Sequence, residues 1–277
     1  MLLTPAGDWL MLSARLRGDT ECAGDELAVK ELSQSVKLQF VFVLLIALLA
    51  FYNFLFFHVV AEGFCIFVAF YLVAVALRCK ALGQVSFFVV LCVTLGSVAI
   101  VDLLHTFAYK GMGVLPVQET NVATQCWILG RYLLAFGLLL ATGWSERTVR
   151  FSVLLPVGLG FTISLLVTVF TGYFPDAYGD GIGLTKFKVL SEYVIISLLM
   201  LTILLLGQKK VLFFDEHLLL IFAIGLTIVS ELMFTLYHDV YSGFNLLGHL
   251  LKLVAYLAFF NLFQRRFRAE CRDDTAA

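Results

Sequence analysis

Eight separate runs of about 20 mainly apolar residues are the feature that most restricts the fold of this chain. A run of this length crosses the hydrocarbon core of a bilayer as an α-helix, which satisfies its own backbone hydrogen bonds without water. The longest run, from Leu38 to Leu77, exceeds one span and divides best near Asn53. The pattern predicts an all-α polytopic membrane protein, a bundle of eight transmembrane helices. The predicted spans are residues 37–54, 57–78, 84–107, 121–141, 149–170, 187–206, 214–237 and 244–263.

The amino-acid composition excludes a soluble enzyme. The chain is 61% hydrophobic and 14% charged, whereas an ordinary soluble domain is about half apolar and about a quarter charged. We divide the chain into a polar N-terminal segment (residues 1–36), a membrane domain (37–264) and a basic tail (265–277). The first segment lacks the features of a signal peptide, so we expect it to be retained. The formal net charge of −1 predicts no nucleic-acid partner.

The distribution of lysine and arginine predicts the orientation of the bundle. With the N-terminus inside, the inner segments hold 14 of these residues, and the outer segments hold only Lys110, Lys186 and Lys188. An excess of positive charge marks the cytoplasmic side of a membrane protein. We therefore expect both termini in the cytoplasm and a multi-pass protein of the cytoplasmic (inner) membrane, in contact with the lipid bilayer.

Ionisable side chains inside the spans are the main candidates for function. A charged group at the centre of a bilayer costs about 2.5–3.5 kcal/mol, so such groups need a partner or a task. At a rise of 1.5 Å per residue, the acidic groups and several histidines lie at a similar depth below the outer surface. We predict one shared polar pocket that opens outward. The candidate ligand-binding residues are His58, Glu62, Asp102, His105, Trp127, Arg131, Glu192, Glu231, His249 and Lys252.

The charges of this set do not balance. Four carboxylates face two fixed cations, Arg131 and Lys252. Some acids must therefore be protonated, or offset by histidinium, a bound cation or a cationic ligand. The alternative is that individual ion pairs only hold the bundle together, with Trp127 supporting Arg131 through a cation–π contact. Pairing alone leaves the imbalance unexplained.

Three kinds of occupant fit these residue types. A small ligand or protons are favoured, because histidines near carboxylates titrate near neutral pH. A metal ion is the second option, since His-x-x-x-Glu and Asp-x-x-His each place two ligands on one helix face. A haem between His105 and His249 is a weaker third option. The candidate metal ligands are His58, Glu62, Asp102, His105 and His249.

Three stretches of the sequence resemble a known sensor family. Residues 101–114 read VDLLHTFAYKGMGV, and 121–127 read NVATQCW before Arg131 and Tyr132. Residues 57–62 read FHVVAE, and residues 174–193 contain Phe-Pro, Gly-Leu-Thr and the end Ser-Glu-Tyr. Together, over about residues 38–264, they resemble the third type of the bacterial and archaeal membrane-associated sensor domains, the MASE group. The residues that match the pattern are His58, Glu62, Asp102, His105, Lys110, Trp127, Arg131 and Glu192.

The resemblance implies a sensory input module that is normally followed by a cytoplasmic output domain. Such outputs are the histidine kinases of two-component systems and the GGDEF diguanylate cyclases of cyclic di-GMP signalling. Only residues 265–277 follow the eighth span here, so we expect no enzymatic activity from this chain. We expect occupancy of the pocket to shift the seventh and eighth helices and to act through the last helix on an output domain or partner. A homodimer is left open.

A transporter or channel is the alternative from another class. The intramembrane acids and histidines would then relay protons or ions. The sequence places few ionisable groups in the inner half of the spans, and a path through the membrane needs both halves. An intramembrane enzyme that uses a metal-bound water is a third alternative, but no nucleophile or protease motif supports it.

Overall fold

The computed structural model describes residues 34–78, 85–116, 119–179, 181–209, 212–236 and 241–276, and these form eight long helices. All eight are long and apolar enough to cross a membrane, which confirms the predicted all-α polytopic fold. Most of the predicted N-terminal segment, residues 1–33, lies outside the described residues. The helices are α1 (Gln34–Tyr52), α2 (Phe54–Arg78), α3 (Ser86–Phe107), α4 (Glu119–Gly143), α5 (Phe151–Phe170), α6 (Lys186–Gln208), α7 (Phe214–Leu236) and α8 (Gly243–Ala276).

Asn53 separates α1 from α2, as the division of the longest apolar run predicts. Its side-chain Oδ1 accepts a hydrogen bond of 2.9 Å from the backbone N–H of Phe56, and its own carbonyl accepts from the N–H of Phe57. The first N–H groups of a helix have no partner within the helix, so an asparagine at this position stabilises the new N-terminus. A single polar residue thus turns one run of 40 residues into two spans.

The described residues divide between two units, 34–45 and 46–276, and the helices α2 to α8 all belong to the second. Within this unit α3 packs against α2, α4 and α5, and it is buried along most of its length. The helix α8 packs against α7 and α2, and α6 packs against α4 and α7. The central position of α3 brings α2, α4 and α8 near one another.

A close contact joins the first half of α3 to the last two turns of α4. A Cβ atom added at Gly137 would lie 2.1 Å from Oγ1 of Thr94. Small residues let transmembrane helices approach closely, and packing then holds them together without a hydrophobic driving force. Gly137 therefore sets the distance between these two helices.

A short antiparallel hairpin covers one end of the bundle. The strands β1 (Tyr178–Gly179) and β2 (Gly183–Leu184) pair between α5 and α6. Asn121 at the start of α4 holds this connection, because its amide donates to Asp176 at 2.8 Å and its Oδ1 accepts from the N–H of Ala177 at 2.9 Å. We call this end, where α2, α4, α6 and α8 begin, the hairpin end, and the opposite end the tail end.

Candidate functional site

The predicted site residues lie buried near the hairpin end. Counted from the helix ends there, Asp102 and Glu231 are five residues deep, Glu192 and His249 six, and Glu62 eight. This corresponds to roughly 8–12 Å along the helix axes. Each predicted ionisable residue is at most 5% exposed. They divide into an ionic cluster (Glu62, Asp102, Arg131, Lys252), a histidine cluster (His58, His105, His249) and a glutamate pair (Glu192, Glu231).

Lys252 lies at the centre of the ionic cluster. Its Nζ donates to Oε2 of Glu62 at 2.6 Å and to Oδ2 of Asp102 at 2.8 Å. Nη2 of Arg131 in turn lies 3.0 Å from both carboxylate oxygens of Asp102. Charged hydrogen bonds of this kind are short and strong, and they become more so where water is excluded. The cluster therefore links four helices: α2, α3, α4 and α8.

The indole of Trp127 supports both cations of this cluster. The guanidinium carbon of Arg131 lies 4.7 Å from the ring centroid, and Nζ of Lys252 lies 4.8 Å from it. These distances are within the range of cation–π attraction, which is strongest when the partners are desolvated. The buried Nε1 of Trp127 has no hydrogen-bond partner in the described part of the chain.

The three histidines meet beside the ionic cluster. Nε2 of His58 lies 3.2 Å from Nε2 of His105, and Nδ1 of His105 lies 2.8 Å from the carbonyl oxygen of Ala123. A carbonyl only accepts, so Nδ1 of His105 carries a proton, and a neutral His105 presents a lone pair at Nε2. His249 directs Nδ1 at Oε1 of Glu62 at 3.0 Å. The imidazole of His58 stacks on the ring of Tyr109 at 3.6 Å between centroids.

The glutamate pair lies between α6 and α7 and has a cation that the sequence analysis placed wrongly. Lys188, assigned there to an outer segment, is fully buried in α6. Its Nζ lies 2.9 Å from Oε1 of Glu192 and donates to the carbonyl oxygen of Phe234. The carboxyl of Glu231 lies against that of Glu192. Burial of Lys188 follows from its position on the same helix face as Glu192.

Lys188 changes the charge count of the site. Three buried cations, not two, face the four carboxylates. Glu62, Asp102 and Glu192 each form an ion pair, whereas none is found for Glu231 among the described residues. Two buried carboxylates in contact repel each other unless one carries a proton. With all four carboxylates ionised, one negative charge is left over on the glutamate pair, and one proton held by this pair balances the count.

Three of the five predicted metal ligands come together. One nitrogen each of His58 and His105 and one carboxylate oxygen of Glu62 lie within 4.8 Å of one another. His249 contacts the carboxylate of Glu62, and Asp102 contacts Lys252 and Arg131. These two residues therefore surround the group of three rather than complete it.

A small cavity borders the histidine cluster at the hairpin end. Its volume is about 30 Å³, which is enough for one or two water molecules and much less than the pocket of a drug-sized organic ligand. It reaches from the buried rings to the exposed side chain of Lys110. Its lining includes His105, Tyr109, Lys110, Thr120, Trp127 and His249.

Comparison of the sequence with models of known protein families gives a match. The model of the MASE3 family, described as a membrane-associated sensor domain, matches residues 49–265. The chain belongs to the MASE3 family. The matched range contains the ionic cluster, the glutamate pair, the histidine cluster and the whole of α2 to α7. This MASE3 domain is thus a multi-pass membrane protein that contacts the bilayer. Comparison with curated proteins and with solved structures gives no match.

Sequence reasoning missed two aromatic residues of this MASE3 domain. Tyr109 stacks on His58 and accepts at its hydroxyl from the amide of Asn245 at 3.0 Å. Tyr256 is 2% exposed, and its ring centroid lies 5.8 Å from Nζ of Lys252. Each tyrosine follows a named site residue by four positions, His105 and Lys252 respectively. This spacing of about one helical turn places each tyrosine on the same helix face as the site residue, and it was the signal in the sequence that could have found them.

We expect Glu231→Gln to change the free energy of unfolding of the MASE3 domain by less than about 1 kcal/mol. The substitution breaks no ion pair, and the amide matches a protonated carboxyl in size and shape. The same chemical change at Glu62 should cost about 2–3 kcal/mol, because it removes the charge that faces Lys252 and His249. Unfolding in detergent, followed by circular dichroism, measures both. Equal losses for the two variants would contradict the charge count.

Proposed function

We propose that this chain is a sensory input domain whose buried site binds a small occupant from outside the cell and reports it through α8. The observation that carries the proposal is the position of Lys252. It is the one residue of α8 that donates to carboxylates on both α2 and α3 within the described residues. Any occupant that changes the charge on Glu62 or Asp102 changes the force that holds α8.

The orientation of the bundle supports an external signal. The lysine and arginine bias puts the tail end in the cytoplasm and the hairpin end outside, in the cytoplasmic (inner) membrane. The site lies near the hairpin end, and its small cavity reaches the exposed Lys110. An occupant then enters from the outer surface without crossing the membrane.

The last helix supplies a continuous connection to the cytoplasm. The α-helix runs without a break from Gly243 to Ala276, so it carries His249 and Lys252 of the site and the basic tail on one rigid element. Occupancy can shift its position only by the difference in affinity for two arrangements. The output is a histidine kinase or a diguanylate cyclase that continues from, or binds to, this tail.

The tail half of the bundle supports sensing over transport. Among the described residues, Glu216 is the only buried Asp, Glu, His, Lys or Arg near that end. It pairs with Arg266 at 3.7 Å. Fully buried aromatic rings fill the space between the helices, with Phe88 and Phe263 in edge contact at 5.0 Å. A proton or ion relay needs polar groups across the whole membrane.

The proposal is tested with a reporter that reads the position of α8. A GGDEF diguanylate cyclase is joined in helical register after residue 277, and cyclic di-GMP formation is measured in membranes. We expect Lys252→Met to change the output at least about fivefold, because α8 loses its link to α2 and α3.

Asp215→Asn is the matched control for this reporter. It removes one charge of the exposed ion pair between α7 and α8, in which Asp215 lies 3.1 Å from Arg265. We expect less than about a twofold change, because exposed pairs contribute little. An unchanged output from a folded, inserted Lys252→Met variant would overturn the proposal.

A further inference from the structure

We infer that His58, His105 and Glu62 form a binding site for a divalent transition-metal ion, of which Zn²⁺, Fe²⁺ and Cu²⁺ are examples. The inference rests on the proposed sensory function and names the chemical class of its signal. Imidazole nitrogen with carboxylate oxygen is a ligand set that these ions accept. Three protein ligands leave at least one position for water or another small group, as in metal sites that exchange ligands.

The distance between the two imidazoles fits a shared metal. Their Nε2 atoms lie 3.2 Å apart. Two nitrogen ligands at the usual zinc distance in tetrahedral geometry are separated by roughly 3.3 Å. The pair therefore needs little movement to hold an ion, and α2 and α3 already hold the rings in place.

The surroundings orient the ligand nitrogen of His105 in the way that metal sites require, whereas Nδ1 of His58 has no hydrogen-bond partner among the described residues. The Nδ1–H of His105 donates to the carbonyl oxygen of Ala123 at 2.8 Å. That bond leaves the lone pair of Nε2 free to bind an ion. Histidine ligands of metals almost always donate their other N–H to such an acceptor. The carboxylate of Glu62 is held in turn by His249.

The size of the cavity favours a small occupant. About 30 Å³ next to His105 and His249 admits an ion with one water molecule. The cavity also reaches the exposed Lys110, so the site has a route of access from the hairpin end.

Metal binding must compete with Lys252 for Glu62. The carboxylate oxygen lies up to 4.8 Å from the imidazole nitrogens, so it approaches them by up to about 1.5 Å to complete the site. Nζ of Lys252 lies 2.6 Å from Oε2 of the same carboxylate. A cation on Glu62 repels this ammonium. Metal binding therefore loosens the link from α2 to α8, which couples occupancy to the signalling helix.

The test measures binding of Co²⁺, and then of Zn²⁺ in competition, to the chelator-treated full chain in detergent. We expect about one ion per chain. His58→Phe keeps a ring on Tyr109, and His105→Asn keeps an N–H donor for Ala123, so both variants preserve local packing while each removes one ligand nitrogen. Each should weaken binding at least about 100-fold. His217→Ala, at the tail end of α7, is the control and should bind like the wild type.

Lys252→Met supplies a readout that structural damage cannot imitate. We expect it to tighten Co²⁺ binding about tenfold, since the competing charge is removed. Wild-type binding well below one ion per chain, or unchanged binding in the folded double variant of His58 and His105, overturns the inference. If the histidine variants fail to fold, Lys252→Met decides, and unchanged or weaker binding overturns the inference.

The same experiments separate this inference from the proposed function. If no metal binds but Lys252→Met still alters the cyclase reporter, the metal site fails and the sensory role stands. If the metal binds but Zn²⁺ and Lys252→Met both leave the reporter unchanged, the metal site stands and the sensory role fails.

Discussion

Asp102→Ala is expected to lower the free energy of unfolding by about 3–5 kcal/mol. Asp102 is 1% exposed and is the only carboxylate paired with Arg131 among the described residues. It also accepts from Lys252 at 2.8 Å. Removing one partner of a buried ion pair leaves an uncompensated charge, and the cost of that burial exceeds the worth of the pair itself. The hydrocarbon core of the bilayer supplies no water to relieve it.

Two further variants show whether the loss of stability comes from leaving the charge of Arg131 buried and unpaired. The double variant Asp102→Leu with Arg131→Met removes both charges, and we expect it to recover at least half of the loss. Asp215→Asn breaks an ion pair of similar length whose partners are 38% and 70% exposed, and it should cost less than about 1 kcal/mol. Unfolding by sodium dodecyl sulfate in mixed micelles measures all three. Similar losses at Asp102 and Asp215 would contradict the burial argument.

Gly137→Ala is expected to destabilise the bundle by at least about 2 kcal/mol. The new Cβ would meet the side chain of Thr94 on three atoms, at 2.1, 2.2 and 2.7 Å. The last of these is Cβ of Thr94, which no rotamer change can move away. The helices α3 and α4 must therefore separate, and overpacking of this kind costs about 1–3 kcal/mol or more. Because α3 carries Asp102 and α4 carries Arg131, their ion pair should lengthen as well.

A double variant that adds a side chain on α4 and removes the facing one on α3 tests this contact directly. Combining Gly137→Ala with Thr94→Gly removes the colliding Cβ, and we expect most of the lost stability to return. Gly225→Ala, in the middle of α7, is the control, since its Cβ meets nothing within 4 Å. It should be neutral or stabilising by up to about 1 kcal/mol, because alanine is the better helix former. A Gly137→Ala variant as stable as Gly225→Ala would show that the helices are not in this contact.

The predicted spans agree with the helices to within three residues at nearly every boundary. The exception is the last helix, which the sequence predicts to end its span at 263 and which continues to Ala276. The apolar run ends there because the membrane ends, whereas the helix has no glycine or proline to stop it. The hydropathy of the sequence indicates which part of α8 lies in the bilayer, whereas helix propensity determines how far the helix continues beyond it.

Sequence reasoning found the layer of ionisable groups but not how its members pair. Depth follows from counting residues along each helix at 1.5 Å per residue, so the common level of Glu62, Asp102 and His249 was predictable. Partner choice also needs the rotation of each helix and the identity of its neighbours. Lys188 shows the difference. Placed at an outer segment by its position, it is buried because α7 supplies the carbonyl oxygen of Phe234 to its ammonium.

The sequence alone determined that this chain crosses a membrane as a helical bundle and that it carries costly polar groups near one end. Both follow from free energies that depend on residue type and spacing along the chain, the transfer of side chains to hydrocarbon and the rise of a helix. Only the tertiary structure decided that Lys252 joins Glu62 to Asp102, and that the nitrogens of His58 and His105 face each other at 3.2 Å. These contacts join residues 47 to 190 positions apart in sequence, and their geometry depends on how the helices pack side by side, which no local pattern encodes.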